Sequence, residues 1–165
     1  MDARAVLAGV PFFAEVLNRS ELDALARGAV AVSFRKGARI IREDEPGASM
    51  FVVTGGEVAV TSGSGADAKR IATLRPVAIV GEMSLLTGAR RSAHVDAVDD
   101  VAALEIPKQA LEPILAASPA LVDRFAEMLK RRQKELDRAY GAGRAFGFSR
   151  DNFADLIRGF FGGTL

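Results

Sequence analysis

Gly81-Glu82-Met83-Ser84-Leu85-Leu86-Thr87-Gly88, followed by Ala89-Arg90-Arg91-Ser92-Ala93-His94-Val95, is the stretch whose reading decides the fold. The first eight residues have the character of one or two helical turns between glycines, yet they sit between strand-like segments rather than at a chain end. An extended pattern resumes at Ser92–Ala97 and again at Val101–Ile106. If the chain is extended from Arg91, then Arg91, Ala93, Val95 and Ala97 face one side. Val95 is the natural core residue of that set, so Arg91 projects toward the interior. A guanidinium there needs an anion, because burying it unpaired costs several kcal/mol. The turn after Gly81 exposes backbone N–H groups at a helix start, which also favour an anion. Two candidates fit: Glu82 as an internal counter-charge, or a phosphate held jointly by Arg91 and the backbone amides.

The surroundings of this stretch, residues 29–107, read as β structure. Val30, Val32 and Phe34 alternate with smaller residues, and Lys36-Gly37 turns the chain. Ile40-Ile41 precedes a polar loop at Glu43–Gly47. Met50–Val53 and Val58–Val60 flank Gly55-Gly56, a tight-turn pair, and Gly63–Asp67 turns the chain before Ile71–Leu74. Short strands punctuated by glycine turns favour an antiparallel roll or jelly roll over βαβ units.

Helices are expected on both sides of the roll. In residues 1–28, Phe12, Phe13, Val16 and Leu17 form an apolar cluster, and Ser20 with Asp23 is the expected cap of a short helix bearing Leu22, Leu25 and Ala26. In residues 108–140, a short helix at Lys108–Leu115 contains Pro113. Ser118-Pro119 then starts a helix reaching Tyr140, with a seam of Leu121, Phe125, Met128, Leu129, Leu136 and Tyr140. Residues 141–165 comprise a breaker-rich linker, Gly141–Gly147, and a last helix from Ser149 whose Phe153, Leu156, Ile157, Phe160 and Phe161 share one face. An apolar face of that size is expected to be covered, by this chain or by a partner. The expected architecture is thus α+β, mainly β: a single domain over 1–165, with helices flanking a roll and a short helix inserted in it.

Composition limits the chemistry. The 165 residues are 49% hydrophobic and 26% charged, as in a globular domain. Twenty-two Lys and Arg against 21 Asp and Glu leave a net charge of +1, which supplies no broad basic field for nucleic acid. With no cysteine, disulfides, thiol catalysis and thiolate metal sites are excluded, and one histidine, His94, cannot build a His-cluster metal centre. That count also removes a metal-centred β-roll enzyme of the cupin kind. No apolar run approaches a membrane span and no signal peptide is evident, so a cytoplasmic location is expected.

The run Gly81–Leu86 with Arg91-Ser92-Ala93-His94-Val95 resembles the phosphate-binding cassette of cyclic nucleotide-binding domains, here 81–95. That pattern is Gly-Glu, a short helix, then Pro-Arg, a small residue, Ala, Thr or Ser, and Val; the step from Glu82 to Arg91 matches it. Phe34, Gly37, Ile40, Gly47, Phe51, Val53, Gly56 and Val58 fit the framework of the same family, and the resemblance extends over about Pro11 to Tyr140. It departs from the pattern at Val77-Ala78 (usually Gly-Asp), at Val80 (usually aromatic), at Arg90 (usually proline) and at His94.

The resemblance implies a ligand, cAMP or cGMP, and no catalysis or cofactor. Arg91 would pair with the cyclic phosphate and Glu82 would accept from the ribose 2′-hydroxyl. Backbone amides near Gly81, Met83, Ser84 and Ala93 would cradle phosphate and sugar, and Ser92 is placed either to touch the ligand or to serve as a plain strand residue. Leu136 and Tyr140 are candidate lid residues, since the equivalent helix of the family swings over the base. His94 reads as structural, because its parity points it away from the phosphate, and Lys130-Arg131-Arg132 reads as a solvated helix face.

A sensor that relays occupancy through its C-terminal helices is the expected function. The segments Leu121–Leu136 and Ile157–Gly162 resemble the end of bacterial small-conductance-mechanosensitive-like channels that carry such a domain. This implies a gating domain, a pore domain as partner, oligomerisation through the parent protein, and an inner-membrane location for that parent. Two alternatives stand beside it: a degenerate roll that only docks protein, and the sensor part of a catabolite-activator-like regulator, for which Gly141–Leu165 is too short to hold a helix-turn-helix.

Overall fold

The computed structural model describes residues 2–63, 65–140 and 153–162. In chain order it has helices α1 (Ala3–Ala8), α2 (Pro11–Ala14) and α3 (Arg19–Gly28). Strands β1 (Val30–Phe34), β2 (Arg39–Ile41), β3 (Ser49–Gly55), β4 (Val58–Ser62), β5 (Lys69–Leu74) and β6 (Ala78–Val80) follow. Helix α4 (Glu82–Thr87) separates these from β7 (His94–Ala97) and β8 (Val101–Pro107), and the chain continues through α5 (Lys108–Ala117), α6 (Leu121–Tyr140) and α7 (Phe153–Phe161). Two compact units result: Ala29–Pro107, and Met1–Gly28 with Lys108–Leu165.

The first unit is an antiparallel roll of two four-stranded sheets, ordered β1-β8-β3-β6 and β2-β7-β4-β5. Every pairing is antiparallel, and the pairs nest: β1 with β8, β2 with β7, β3 with β6 and β4 with β5. Between the sheets lie Ile41, Phe51, Val53, Val58, Val95 and Ala103, with Phe34 set edge-on to Phe51 at 5.9 Å. The α+β architecture, antiparallel sheets with flanking helices, is as expected; it is not mainly β, because among the described residues the helices hold more of the chain than the strands.

Several local readings need correction. Gly55-Gly56 does turn the chain, but it carries it from one sheet to the other and closes no hairpin, because β3 pairs with β6 and β8 while β4 pairs with β5 and β7. Gly56 has φ 82°, and a Cβ there would collide with the carbonyl of Asp100. The crossing is tied down by Asp99 Oδ1, which accepts from the Glu57 amide at 2.8 Å. Strand β6 escaped the sequence pattern because three residues show no period of their own; its register against β3 (Phe51 opposite Val80) defines it. Strand β7 begins at His94, not Ser92.

In the second unit, the expected Ser20 cap is replaced by Asn18. Asn18 Oδ1 accepts from the Glu21 amide at 2.8 Å and Glu21 Oε1 accepts from the Asn18 amide at 2.9 Å, a reciprocal capping box. A glutamate reaches back to the cap amide; the shorter Asp23 paired with Ser20 does not form this arrangement. Phe12, Phe13 and Phe125 pack together, with centroids of Phe12 and Phe13 at 5.9 and 6.4 Å from Phe125. Helix α5 continues through Pro113, and α6 starts at Leu121 after a turn in which the Leu121 amide bonds the Ser118 carbonyl. Phe153, Ile157 and Phe161 of α7 are buried, and this helix packs on α6, where Arg158 meets Asp123 at 3.1 Å. The apolar face of α7 is thus covered by the chain itself. The expected linker Gly141–Gly147 and helix start at Ser149 lie outside the described residues. Among the described residues, no helix is long and apolar enough to cross a membrane.

Candidate functional site

The site forms where the roll is interrupted. Gly81 adopts φ 86° and caps α4, whose first intrahelical bond runs from the Leu85 amide to the Gly81 carbonyl at 3.1 Å. The amides of Met83 and Ser84 precede that bond and stand at the helix start. Glu82, Met83, Ser84, Leu85 and Leu86 are all buried, since α4 packs against β3. The helix is closed at its other end by side chains. Ser84 Oγ donates to the Ala89 carbonyl at 2.8 Å, Thr87 Oγ1 donates to the Met83 carbonyl at 2.7 Å, and Gly88 is left-handed at φ 72°. The Ser84 hydroxyl is therefore occupied in shaping the cassette.

Arg91 points inward, as its parity with Val95 required, although the ladder itself begins three residues later. Its backbone is pinned on both sides: the Arg91 amide donates to the Glu45 carbonyl at 2.9 Å and the Asp44 amide donates to the Arg91 carbonyl at 2.8 Å. Its guanidinium donates from Nη1 to the Ser49 carbonyl at 2.7 Å and from Nη2 to Ser49 Oγ at 3.2 Å. Burial lowers the pKa of this group from its ordinary value, and the nearby carboxylates of Glu105 and Glu82 oppose that shift without cancelling it. The guanidinium fork has more N–H donors than Ser49 accepts, so it is oriented and partly desolvated while still able to meet an anion.

Two glycines make room for it. A Cβ at Gly47 would fall on Nε and Cζ of Arg91, and one at Gly81 would lie 2.5 Å from Nη1 and 3.0 Å from the Ser49 carbonyl. The guanidinium is thus held between the 42–47 loop and the start of α4, beside the Met83 and Ser84 amides. A positive fork next to a helix N-terminus is suited to a phosphate in particular.

The remaining expected residues fall as follows. Ala93 is buried, Ser92 is exposed on the bend before β7, and His94 is buried with Nδ1 accepting from the Glu43 amide at 2.9 Å. Leu136 is half-buried on α6, and the side chain of Tyr140 lies outside the described residues. Sequence reasoning missed Ser49, which accepts from Arg91 on β3, and Glu105 of β8, whose charge acts on Arg91. Gly47 was noticed only as a framework glycine, and no local signal tied it to Arg91.

Residues 31–118 match the family model for the cyclic nucleotide-binding domain, which is more than half of the chain. The chain belongs to that family. Among relatives of this cyclic nucleotide-binding domain is a cyclic nucleotide-gated potassium channel of Mesorhizobium japonicum, 31% identical over 128 residues, covering 78% of this chain and 34% of the channel. A CRP-like cAMP-activated global transcriptional regulator of Mycobacterium tuberculosis is 23% identical over 139 residues, covering 84% of this chain and 56% of the regulator. The chain therefore spans between about a third and just over half the length of these two relatives. In structure it is similar to the N-terminal domain of a transcriptional regulator from Streptomyces coelicolor, with a TM-score of 0.67 and 26% identity over 84% of this chain and 99% of that one.

Proposed function

We propose that this chain binds a cyclic nucleotide, cAMP or cGMP, and acts as a sensor without a reaction of its own. The carrying observation is the inward Arg91 guanidinium, bonded to Ser49, flanked by Gly47 and Gly81 and set beside the first amides of α4. In this reading Arg91 takes the cyclic phosphate, the amides of Met83, Ser84 and Ala93 cradle it with the backbone of Gly81, and buried Glu82 accepts from the ribose hydroxyl. Ser92, exposed on the bend before β7, is the candidate for a hydroxyl contact to the ligand. The family resemblance makes Leu136 and Tyr140 the candidate lid residues.

Occupancy is relayed through α5 and α6. The ligand must bind one arrangement of these helices better than another, and couplings of this kind are typically about 1–3 kcal/mol. A gated channel among the relatives supports a gating role for the whole protein, with a membrane pore as partner and a cytoplasmic position for this domain. The cAMP-activated regulator supports a second reading, the sensor of a transcription factor.

The test is calorimetric titration of the nucleotide-stripped chain with cAMP and cGMP, with 5′-AMP as control. Saturable binding of a cyclic nucleotide is expected, with the linear monophosphate much weaker. A charge-assisted contact of about 1.5–3 kcal/mol means Arg91→Ala should weaken binding at least about tenfold. Silence from both cyclic ligands in a folded sample would refute the reading in favour of a roll that only docks protein.

A further inference from the structure

We propose that His94 is a positioning residue for the ligand: by accepting the Glu43 amide at Nδ1 it holds the 42–47 loop against Arg91, and nucleotide affinity falls when that acceptor is removed. This rests on the cyclic nucleotide reading above and deepens it.

The position is one where the chain departs from the family pattern, which has Thr or Ser. A histidine here does something neither hydroxyl does in the same way: its Nδ1 accepts the Glu43 amide at 2.9 Å from a buried ring. An accepting Nδ1 places the ring proton on Nε2. From Glu43 the contacts run without a break toward the guanidinium. The Asp44 amide donates to the Arg91 carbonyl at 2.8 Å, the Arg91 amide donates to the Glu45 carbonyl at 2.9 Å, and Arg90 Nη1 donates to the Asp44 carbonyl at 2.8 Å. Asp44 holds φ 71°, in the left-handed region that aspartate enters more readily than most non-glycine residues. Two residues beyond Glu45, Gly47 lies against the Arg91 side chain.

The side chain of Glu43 is fixed from elsewhere, since its carboxylate accepts from Ser62 Oγ at 2.9 Å and from the Gly63 amide at 3.2 Å. Loss of the His94 acceptor therefore frees the backbone of Glu43, next to Asp44 and its bond to Arg91, while the Glu43 side chain stays anchored.

The experiment titrates cAMP and cGMP into the full 165-residue chain, with His94→Asn and His94→Ala alongside. Asparagine offers Oδ1 near the place of Nδ1; alanine offers no acceptor. His94→Ala is expected to lose about three- to tenfold in affinity, the worth of one hydrogen bond, and His94→Asn to keep most of the wild-type affinity. In the ligand-free chain, the amide resonance of Glu43 should shift in His94→Ala and stay near its wild-type position in His94→Asn. A folded His94→Ala chain with wild-type affinity, or a His94→Asn chain as weak as His94→Ala, overturns the proposal. Weakened nucleotide binding with an unmoved Glu43 amide sinks the His94 role alone. No nucleotide binding by the wild-type chain sinks the sensor reading, and the positioning role with it.

Discussion

Gly47→Ala isolates the guanidinium from the rest of the fold. The substituted Cβ would fall on Nε and Cζ of Arg91 and lie 2.8 Å from Nη2. All of these atoms belong to the far end of a flexible side chain, so the guanidinium yields and the backbone does not. The cost to the fold is the pair of contacts to Ser49, each about 0.5–1.5 kcal/mol net, against a gain of about 0.4–1 kcal/mol from replacing glycine in the unfolded chain. The net loss of stability should therefore lie between about 0 and 2.6 kcal/mol, at most about 10 °C in Tm for a chain of this length. Binding should suffer far more, because the displaced fork no longer meets the phosphate: about 1.5–3 kcal/mol, or at least about tenfold in Kd. Calorimetry with cAMP and cGMP, beside a thermal melt, reads both quantities. Wild-type affinity in a folded Gly47→Ala chain would refute the placement of the phosphate on Arg91. A collapse in Tm would show that the loop, not the side chain, gives way.

Other perturbations separate scaffold from site. Gly81→Ala should harm both, since φ 86° costs an alanine about 1–2 kcal/mol and its Cβ meets Arg91 and Ser49; melting and titration should fall together. Asn18→Ala removes the capping box and should lower stability by about 0.5–2 kcal/mol in denaturant unfolding, with nucleotide affinity unchanged. Phe125→Ala, at a fully buried ring between α2 and α6, should cost about 3–5 kcal/mol in the same assay. Ser84→Ala leaves the Ala89 carbonyl without its donor and should destabilise by about 1–3 kcal/mol, which a melt would detect.

Local chemistry was enough for the inserted helix. Two glycines bracket α4 at positive φ, and a period-two pattern through Val95 and Ala97 places Arg91 on the inward side without any knowledge of partners. The capping box is a local pattern too, but Ser20 and Asp23 imitate its spacing, so the pattern alone does not choose between them and Asn18 with Glu21. It is glutamate's longer reach at Glu21 that selects Asn18.

Pairing and partnership are a different matter. Strand β1 joins β8, and Gly55-Gly56 separates two strands that enter different sheets; both follow from closing a roll around Phe51, Val53 and Val58, which no local window contains. Ser49 meets Arg91 across 42 residues, and Glu43 meets His94 across 51. A hydrogen bond carries no trace in sequence when either partner would look ordinary alone. The sequence by itself determined that an arginine must turn inward beside a helix start. The tertiary structure alone decided which carbonyl, hydroxyl and glycines hold it there, because antiparallel register brings distant residues to one point in space.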